Sequence, residues 1–189
     1  IKKKDILLVD PLTTNTCLKR SMHCQVMERP SIIRDKKTLK NKTEIAHIRR
    51  TMEKDGAALV RLYKWLEETL EKHPVSEYEV ATKLDEYRSQ LPHYRGESFE
   101  TIVGYNANAA IVHYRPEQQK SDLIYKEGIL LLDSGGQYLD GTTDITRTVA
   151  LGKPTAQQKK DFTLVLKGNI ALDQAYFPYG TTGNQLDAI

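Results

Sequence analysis

One stretch, residues 128–152, limits what this chain can fold into and what it can bind. It reads GILLLDSGGQYLDGTTDITRTVALG: an aliphatic run that ends at Asp133, a glycine-rich turn, and a returning segment that carries Asp144 eleven positions further on. Two runs of this kind around a Gly-containing turn are typical of a β-hairpin. Carboxylate oxygens suit Mg²⁺ and Mn²⁺, and carboxylates can hold paired divalent ions. The hairpin is therefore a candidate metal site.

The register of this hairpin decides whether Asp133 and Asp144 can share a metal pair. A loop over residues 137–140 would put them directly opposite each other, on one face of the sheet. The Asp-Gly pair at residues 140–141 favours a two-residue turn instead, which would leave them four residues apart along the strands, about 13 Å. Only a bulge at residues 135–136 would then bring them together. The sequence leaves both registers open, and an ordinary structural hairpin with Asp144 facing solvent is the alternative to a metal site.

Helices and pairs of strands alternate in blocks along the rest of the chain. Residues 43–73 carry apolar side chains at helical spacing, residues 76–91 begin with a Ser-x-x-Glu capping box, and residues 155–177 predict a third helix. Further strands are predicted at residues 98–103 and 111–114. This order predicts an α+β fold in which helices cover a curved antiparallel sheet.

The first forty residues contain too few elements to close a core of their own. Three short elements are predicted there: a strand at residues 5–9, one or two helical turns at 13–22 and a weak strand at 25–27. Residues 31–42 are basic but lack interleaved aromatic side chains, which favours a solvated connector over a nucleic-acid-binding patch. We place a domain boundary in this connector, between residues 1–40 and residues 41–189.

Composition excludes several classes of partner. With 28 Lys and Arg against 25 Asp and Glu, the net charge of +3 predicts neither a nucleic-acid nor a membrane partner.

Cys17 and Cys24 are too few for a disulfide framework or a zinc site, which favours a reducing, cytoplasmic compartment. No wholly aliphatic run exceeds four residues, and the chain opens without Met or a signal peptide. We therefore expect it to begin inside a longer protein.

Three segments resemble one known family. The stretch LLDSGGQYLDGTTDITRTVALGKPT is close to the signature of the pita-bread metallopeptidases, and its GTTDITRT form is most similar to the Xaa-Pro aminopeptidases (aminopeptidase P). The segment KNKTEIAHIRRTMEKDGAALVRLYKWLEE resembles the helix that opens their catalytic domain, and AAIVHYRP also matches. The resemblance implies that residues 41–189 are the incomplete N-terminal portion of a pita-bread catalytic domain. Residues 1–40 would then be the C-terminal remnant of a preceding non-catalytic domain, plus a linker.

The resemblance also implies roles for individual residues. Asp133 and Asp144 match the first two metal-binding carboxylates of a site for two divalent ions, expected to be manganese, with Asp144 bridging both. His113, taken alone more typical of a structural histidine, matches the active-site histidine that contacts the scissile amide or the tetrahedral intermediate. Thr146 would lie just behind the metal ligands. The family needs a further histidine and two glutamates downstream, so we expect these 189 residues alone to bind metal weakly and not to turn over.

Three functions follow from the resemblance. The first is an aminopeptidase that removes the N-terminal residue from peptides with proline in the second position, in a parent protein that is a cytoplasmic homodimer. A prolidase, which cleaves only Xaa-Pro dipeptides, is the alternative within the enzymes. A pita-bread protein that has lost catalysis and only binds partners is the alternative outside them.

Overall fold

The computed structural model describes all 189 residues and divides into two compact units, Ile1–Arg49 and Arg50–Ile189. The helices are α1 (Thr16–Arg20), α2 (Ile32–Thr38), α3 (Lys42–Leu70), α4 (Glu77–Ser89), α5 (Ala156–Asp173) and α6 (Gly183–Leu186). The strands are β1 (Ile6–Val9), β2 (Gln25–Glu28), β3 (Val75–Ser76), β4 (Tyr94–Tyr105), β5 (Leu123–Ile124), β6 (Ile129–Tyr138), β7 (Gly141–Thr142) and β8 (Ile145–Ala150). The proposed domain boundary at residues 40–41 stays a prediction.

The first unit confirms the predicted strands and helical turns and adds one helix. Strands β1 and β2 pair in parallel, from Ile6 opposite Gln25 to Val9 opposite Glu28. The segment predicted as a solvated connector is exposed, and the structure adds that it forms the short helix α2. It is helical because the Ser31 side chain caps it, accepting a hydrogen bond from the Arg34 backbone N–H.

The three long helices lie where hydrophobic spacing and capping predict them. Helix α4 begins with a complete capping box, in which Ser76 and Glu79 each accept the other's backbone N–H. Helix α5 begins with the same arrangement at Thr155 and Gln158. None of the helices is long and apolar enough to span a bilayer.

A four-stranded antiparallel sheet forms the centre of the second unit. Strand β6 lies in the middle, with β4 on one side and β7 followed by β8 on the other. Side chains along β6 alternate, so that Leu130, Leu132 and Ser134 are fully buried. They face a core that α3 and α4 build with residues such as Leu62 and Leu84. The opposite face of β6 carries Asp133, which is only half-buried.

The predicted strand at residues 111–114 is wrong. Strand β4 ends at Tyr105, a 3₁₀ helix follows at Asn106–Ala110, and a turn then places His113 in the left-handed region with φ of 58°. The chain folds back closely on β4, because a Cβ built at Gly104 would lie 2.7 Å from the backbone of Ala109. This close packing replaces strand pairing, which the residue pattern alone had favoured.

Candidate metal centre

Asp133 and Asp144 lie on the same face of the sheet. Asp133 pairs with Thr146, and Gln137 pairs with Thr142, so one register holds throughout the hairpin. That register places Asp144 opposite Gly135, one diagonal step from Asp133. Diagonal neighbours on one face typically lie about 7–8 Å apart, which is within reach of two carboxylates that share metal ions.

Neither register considered from the sequence is the observed one. The turn residues are Leu139 and Asp140, because Tyr138 pairs with Gly141. Tertiary contacts fix this turn: the Lys54 ammonium donates to Asp140 Oδ1 at 2.8 Å, and the Leu139 N–H donates to the His93 carbonyl at 3.1 Å. The hydrogen bond from Lys54 also holds the pKa of the Asp140 carboxyl below its usual value.

The bulge considered for residues 135–136 lies on the partner strand instead. The pairing of β4 with β6 shifts between Glu97 and Phe99, opposite Gly136 and Gly135, and again between Phe99 and Ile102, opposite residues 133–135. The extra residues bend β4 at this point. A Cβ built at Gly135 would lie 2.1 Å from neighbouring side-chain and backbone oxygens, so glycine is needed for this close approach.

Both aspartates and His113 line one cavity of about 350 Å³. The remaining lining residues are Phe99, Glu100, Ile102 and Arg115. Asp133 Oδ1 accepts a 2.8 Å hydrogen bond from the Thr146 hydroxyl, which orients that carboxylate. Arg115 and Glu100 form an ion pair on the cavity wall, with both side chains exposed. The structure therefore brings together the three residues that the sequence singled out.

The segment that carries His113 is anchored by a buried carboxylate. Glu77, in the first turn of α4, is fully buried and accepts hydrogen bonds from the Tyr105 N–H at 2.7 Å and the Tyr114 hydroxyl at 2.7 Å. Burial, and then the bond to Glu77, raise the pKa of Tyr114 well above its usual value. Sequence reasoning missed Glu77, because a glutamate in a first helical turn is ordinarily exposed and serves the helix dipole.

A second buried carboxylate lies behind the hairpin. Asp55 of α3 pairs with Arg88 of α4, and both side chains are fully buried. Asp55 also accepts a hydrogen bond from the Tyr138 hydroxyl at 2.6 Å. Burial is the largest cause that raises the pKa of Tyr138, and the hydrogen bond to Asp55 is the second. A signal for this pair was available in the sequence: Asp55 lies three residues after Met52 and four before Leu59, within the apolar stripe of α3.

The residues present fit part of a dinuclear centre. Asp133 and Asp144 provide the oxygen ligands that hard divalent ions prefer, on one face and in one cavity. No group of three or more His, Cys, Asp or Glu side chains comes together in a metal-binding geometry. The two aspartates are thus a partial ligand set.

Comparisons with known proteins identify the family to which the chain belongs. The sequence model of metallopeptidase family M24 matches residues 46–189. A protein of Laccaria bicolor named "Probable Xaa-Pro aminopeptidase P" is 51% identical over 159 residues, which are 84% of this chain and 25% of the relative. One of the same name from Colletotrichum graminicola is 49% identical over 176 residues, 91% of this chain and 28% of the relative. The chain spans about a quarter of the length of these curated relatives.

Solved structures of an X-prolyl aminopeptidase and a prolidase also match this chain. The X-prolyl aminopeptidase of Caenorhabditis elegans, described as a cytosolic enzyme with a di-nuclear active site, has a TM-score of 0.78 and 38% identity, over 86% of this chain and 27% of that one. The prolidase of Pyrococcus furiosus has a TM-score of 0.77 at 22% identity, over 97% of this chain and 52% of that one, and shows the shared fold alone. These matches confirm the predicted α+β fold of the pita-bread type, and the chain belongs to metallopeptidase family M24.

Proposed function

We propose that this chain forms part of a dinuclear metal-dependent aminopeptidase that removes the N-terminal residue from peptides with proline in the second position. The observation that carries the proposal is the single cavity lined by Asp133, Asp144 and His113. The names of the relatives at about 50% identity support the choice of substrate. Residues 41–189 would belong to the catalytic domain and residues 1–40 to the domain before it.

Each residue of the cavity has a distinct role in this proposal. Asp133 and Asp144 would hold two divalent ions, with manganese as the expected metal, and such ions supply Lewis-acid polarisation of a peptide carbonyl. Thr146 fixes the orientation of Asp133 by its hydrogen bond. The His113 side chain, which lines the same cavity, would donate a hydrogen bond to the substrate oxygen that gains negative charge.

A dipeptidase is the second candidate, because the family that the sequence resembles also includes prolidases. A full-length protein assayed with Mn²⁺ on an Xaa-Pro dipeptide and on an Xaa-Pro-Yaa tripeptide separates the two. Cleavage of the tripeptide supports the aminopeptidase, whereas cleavage of the dipeptide alone would overturn it. Asp133→Asn should abolish turnover, and Asp173→Asn, at an exposed position of α5, is the matched control.

A pita-bread protein that has lost catalysis and only binds partners is the third candidate. Calorimetric titration of the 189-residue chain with Mn²⁺ tests the metal site on which the choice between an enzyme and a binding protein depends. We expect weak binding that disappears in an Asp133→Ala, Asp144→Ala double variant. Tight binding that survives both substitutions would show that the site is misplaced.

Location and assembly are also part of the proposal. A cytoplasmic location is supported by the Caenorhabditis elegans relative, which is described as cytosolic. A homodimer is implied only by the family resemblance and stays a prediction. Light scattering coupled to size-exclusion chromatography of the full-length protein would test it, and a monomeric mass at micromolar concentration would contradict it.

A further inference from the structure

We propose that the buried Asp55–Arg88 pair is a positioning device for both aspartates of the metal centre, acting through Ser134 and Thr143. The inference rests on the proposed function, because it concerns how that site is held in shape. Neither member of the pair lines the cavity; each acts through the backbone of the hairpin.

Every acceptor site that Asp55 offers is used. Its Oδ1 accepts from Arg88 Nε at 2.8 Å and from the Tyr138 hydroxyl at 2.6 Å. Its Oδ2 accepts from Arg88 Nη2 at 3.0 Å and from the Thr143 hydroxyl at 3.0 Å. Arg88 Nη2 also donates to the Ser134 hydroxyl at 3.1 Å. No side chain in this network is more than 2% exposed, so its bonds are not weakened by exchange with water.

The network contacts the residue next to each aspartate. Ser134 directly follows Asp133, and Thr143 directly precedes Asp144. Ser134 and Thr143 are buried and bond to the pair on the helices, whereas Asp133 and Asp144 line the cavity. Fixing these two hydroxyls therefore fixes the peptide groups from which the carboxylates project.

Thr143 is the position where this support matters most. Thr143 and Asp144 lie between β7 and β8 and belong to neither strand. Three hydrogen bonds join Thr143 to neighbouring strands of the sheet. Its N–H donates to the Gly136 carbonyl at 2.9 Å, and its hydroxyl accepts from the Gly136 N–H at 2.8 Å. Its carbonyl accepts from the Ser98 hydroxyl at 2.9 Å. The bond from its hydroxyl to Asp55 ties this interruption in the sheet to α3.

Stability alone does not explain a charged pair at this place. Well-packed apolar residues often serve as well as a buried ion pair, because removing two charges from water is costly. Arg88 Nη1 is moreover buried without a partner, which adds to that cost. Directional bonds to Ser134 and Thr143 supply what apolar packing does not, a fixed orientation of the hairpin backbone.

The test compares two single substitutions that each remove one hydrogen bond to Asp55. In the full-length protein, Thr143→Val removes the 3.0 Å bond beside Asp144, together with the acceptor of the Gly136 N–H, and Tyr138→Phe removes the 2.6 Å bond at the end of β6. We expect Thr143→Val to weaken Mn²⁺ binding about 10- to 100-fold by calorimetry. Tyr138→Phe should lower urea stability but leave Mn²⁺ affinity unchanged. Thr143→Ser keeps the hydroxyl and should restore the affinity.

Equal effects of Thr143→Val and Tyr138→Phe on Mn²⁺ affinity would overturn the inference, as would no effect from either. Ser134→Ala decides if Thr143→Val does not fold. It also separates the effect of the pair from that of the lost Gly136 bond, since it removes only the acceptor that Arg88 uses beside Asp133. Unchanged Mn²⁺ affinity in Ser134→Ala would then contradict the positioning role. A wild-type protein that neither binds Mn²⁺ nor cleaves Xaa-Pro peptides would refute the proposed function itself, a result distinct from these.

Discussion

Replacing Glu77 by glutamine should lower the free energy of unfolding by about 3–5 kcal/mol, although the two side chains have the same shape. The carboxylate is fully buried and satisfies four donors. Oε1 accepts from the Tyr105 N–H at 2.7 Å and from Asn108 Nδ2 at 3.0 Å. Oε2 accepts from the Tyr114 hydroxyl at 2.7 Å and from the Asp122 N–H at 3.1 Å.

The magnitude follows from the donors that an amide cannot satisfy. The glutamine oxygen can still face Tyr105 and Asn108, but its NH₂ group then faces Tyr114 and Asp122. The Tyr114 hydroxyl can turn to accept, whereas the Asp122 N–H cannot, and one buried unsatisfied donor costs about 1–3 kcal/mol. The two remaining bonds change from charged to neutral acceptors and lose about 1 kcal/mol each. Full burial means that solvent does not screen these losses.

Urea unfolding of the 189-residue chain, followed by circular dichroism, measures this difference. Glu79→Gln is the matched control, because Glu79 lies in the same helical turn, is exposed, and belongs to a capping box that accepts Gln as well as Glu. The same experiment has a local readout: without the carboxylate, the pKa of Tyr114 should move back toward its usual value. A loss for Glu77→Gln no greater than that for Glu79→Gln would refute the reasoning.

Four further substitutions test other parts of the structure. Gly135→Ala should destabilise the protein by about 1–3 kcal/mol or more in urea unfolding, because the added Cβ would meet fixed oxygens. Gly168→Ala, in α5 with open space around it, should stabilise the protein by about 0.5–1 kcal/mol in the same measurement. The hydrogen bond from Lys54 holds the pKa of Asp140 below the usual aspartate value. The contribution of Asp140 to stability is therefore present above that usual value and is lost as pH falls through the lowered pKa; Lys54→Met should reduce this acid-dependent loss in unfolding measured from about pH 5 downward. Ser76→Ala should cost about 0.5–2 kcal/mol through loss of the α4 cap, and an unchanged melting temperature would contradict it.

Local signals in the sequence predicted the helices and the hairpin, but not how the hairpin is registered. Two-residue hairpin turns favour glycine at a position with positive φ, and this preference predicts a turn at residues 140–141. The observed turn at Leu139 and Asp140 needs no left-handed residue. Lys54, distant in sequence, and the backbone of His93 hold it in place. Contacts between residues so far apart in sequence do not show in the local residue pattern, so the register of the hairpin could not be predicted from the sequence.

The two buried carboxylates divide the support of the candidate site between them, and this has a consequence for catalysis. Asp55 is tied to the hairpin that carries Asp133 and Asp144, whereas Glu77 is tied to the segment that carries His113. The two networks share no residue, so a substitution in one should leave the hydrogen bonds of the other intact. In the full-length protein, Glu77→Gln should lower kcat on an Xaa-Pro-Yaa tripeptide while Mn²⁺ affinity is retained, because only the His113 segment loses its anchor. A parallel loss of Mn²⁺ affinity would show that the two networks are coupled through the sheet.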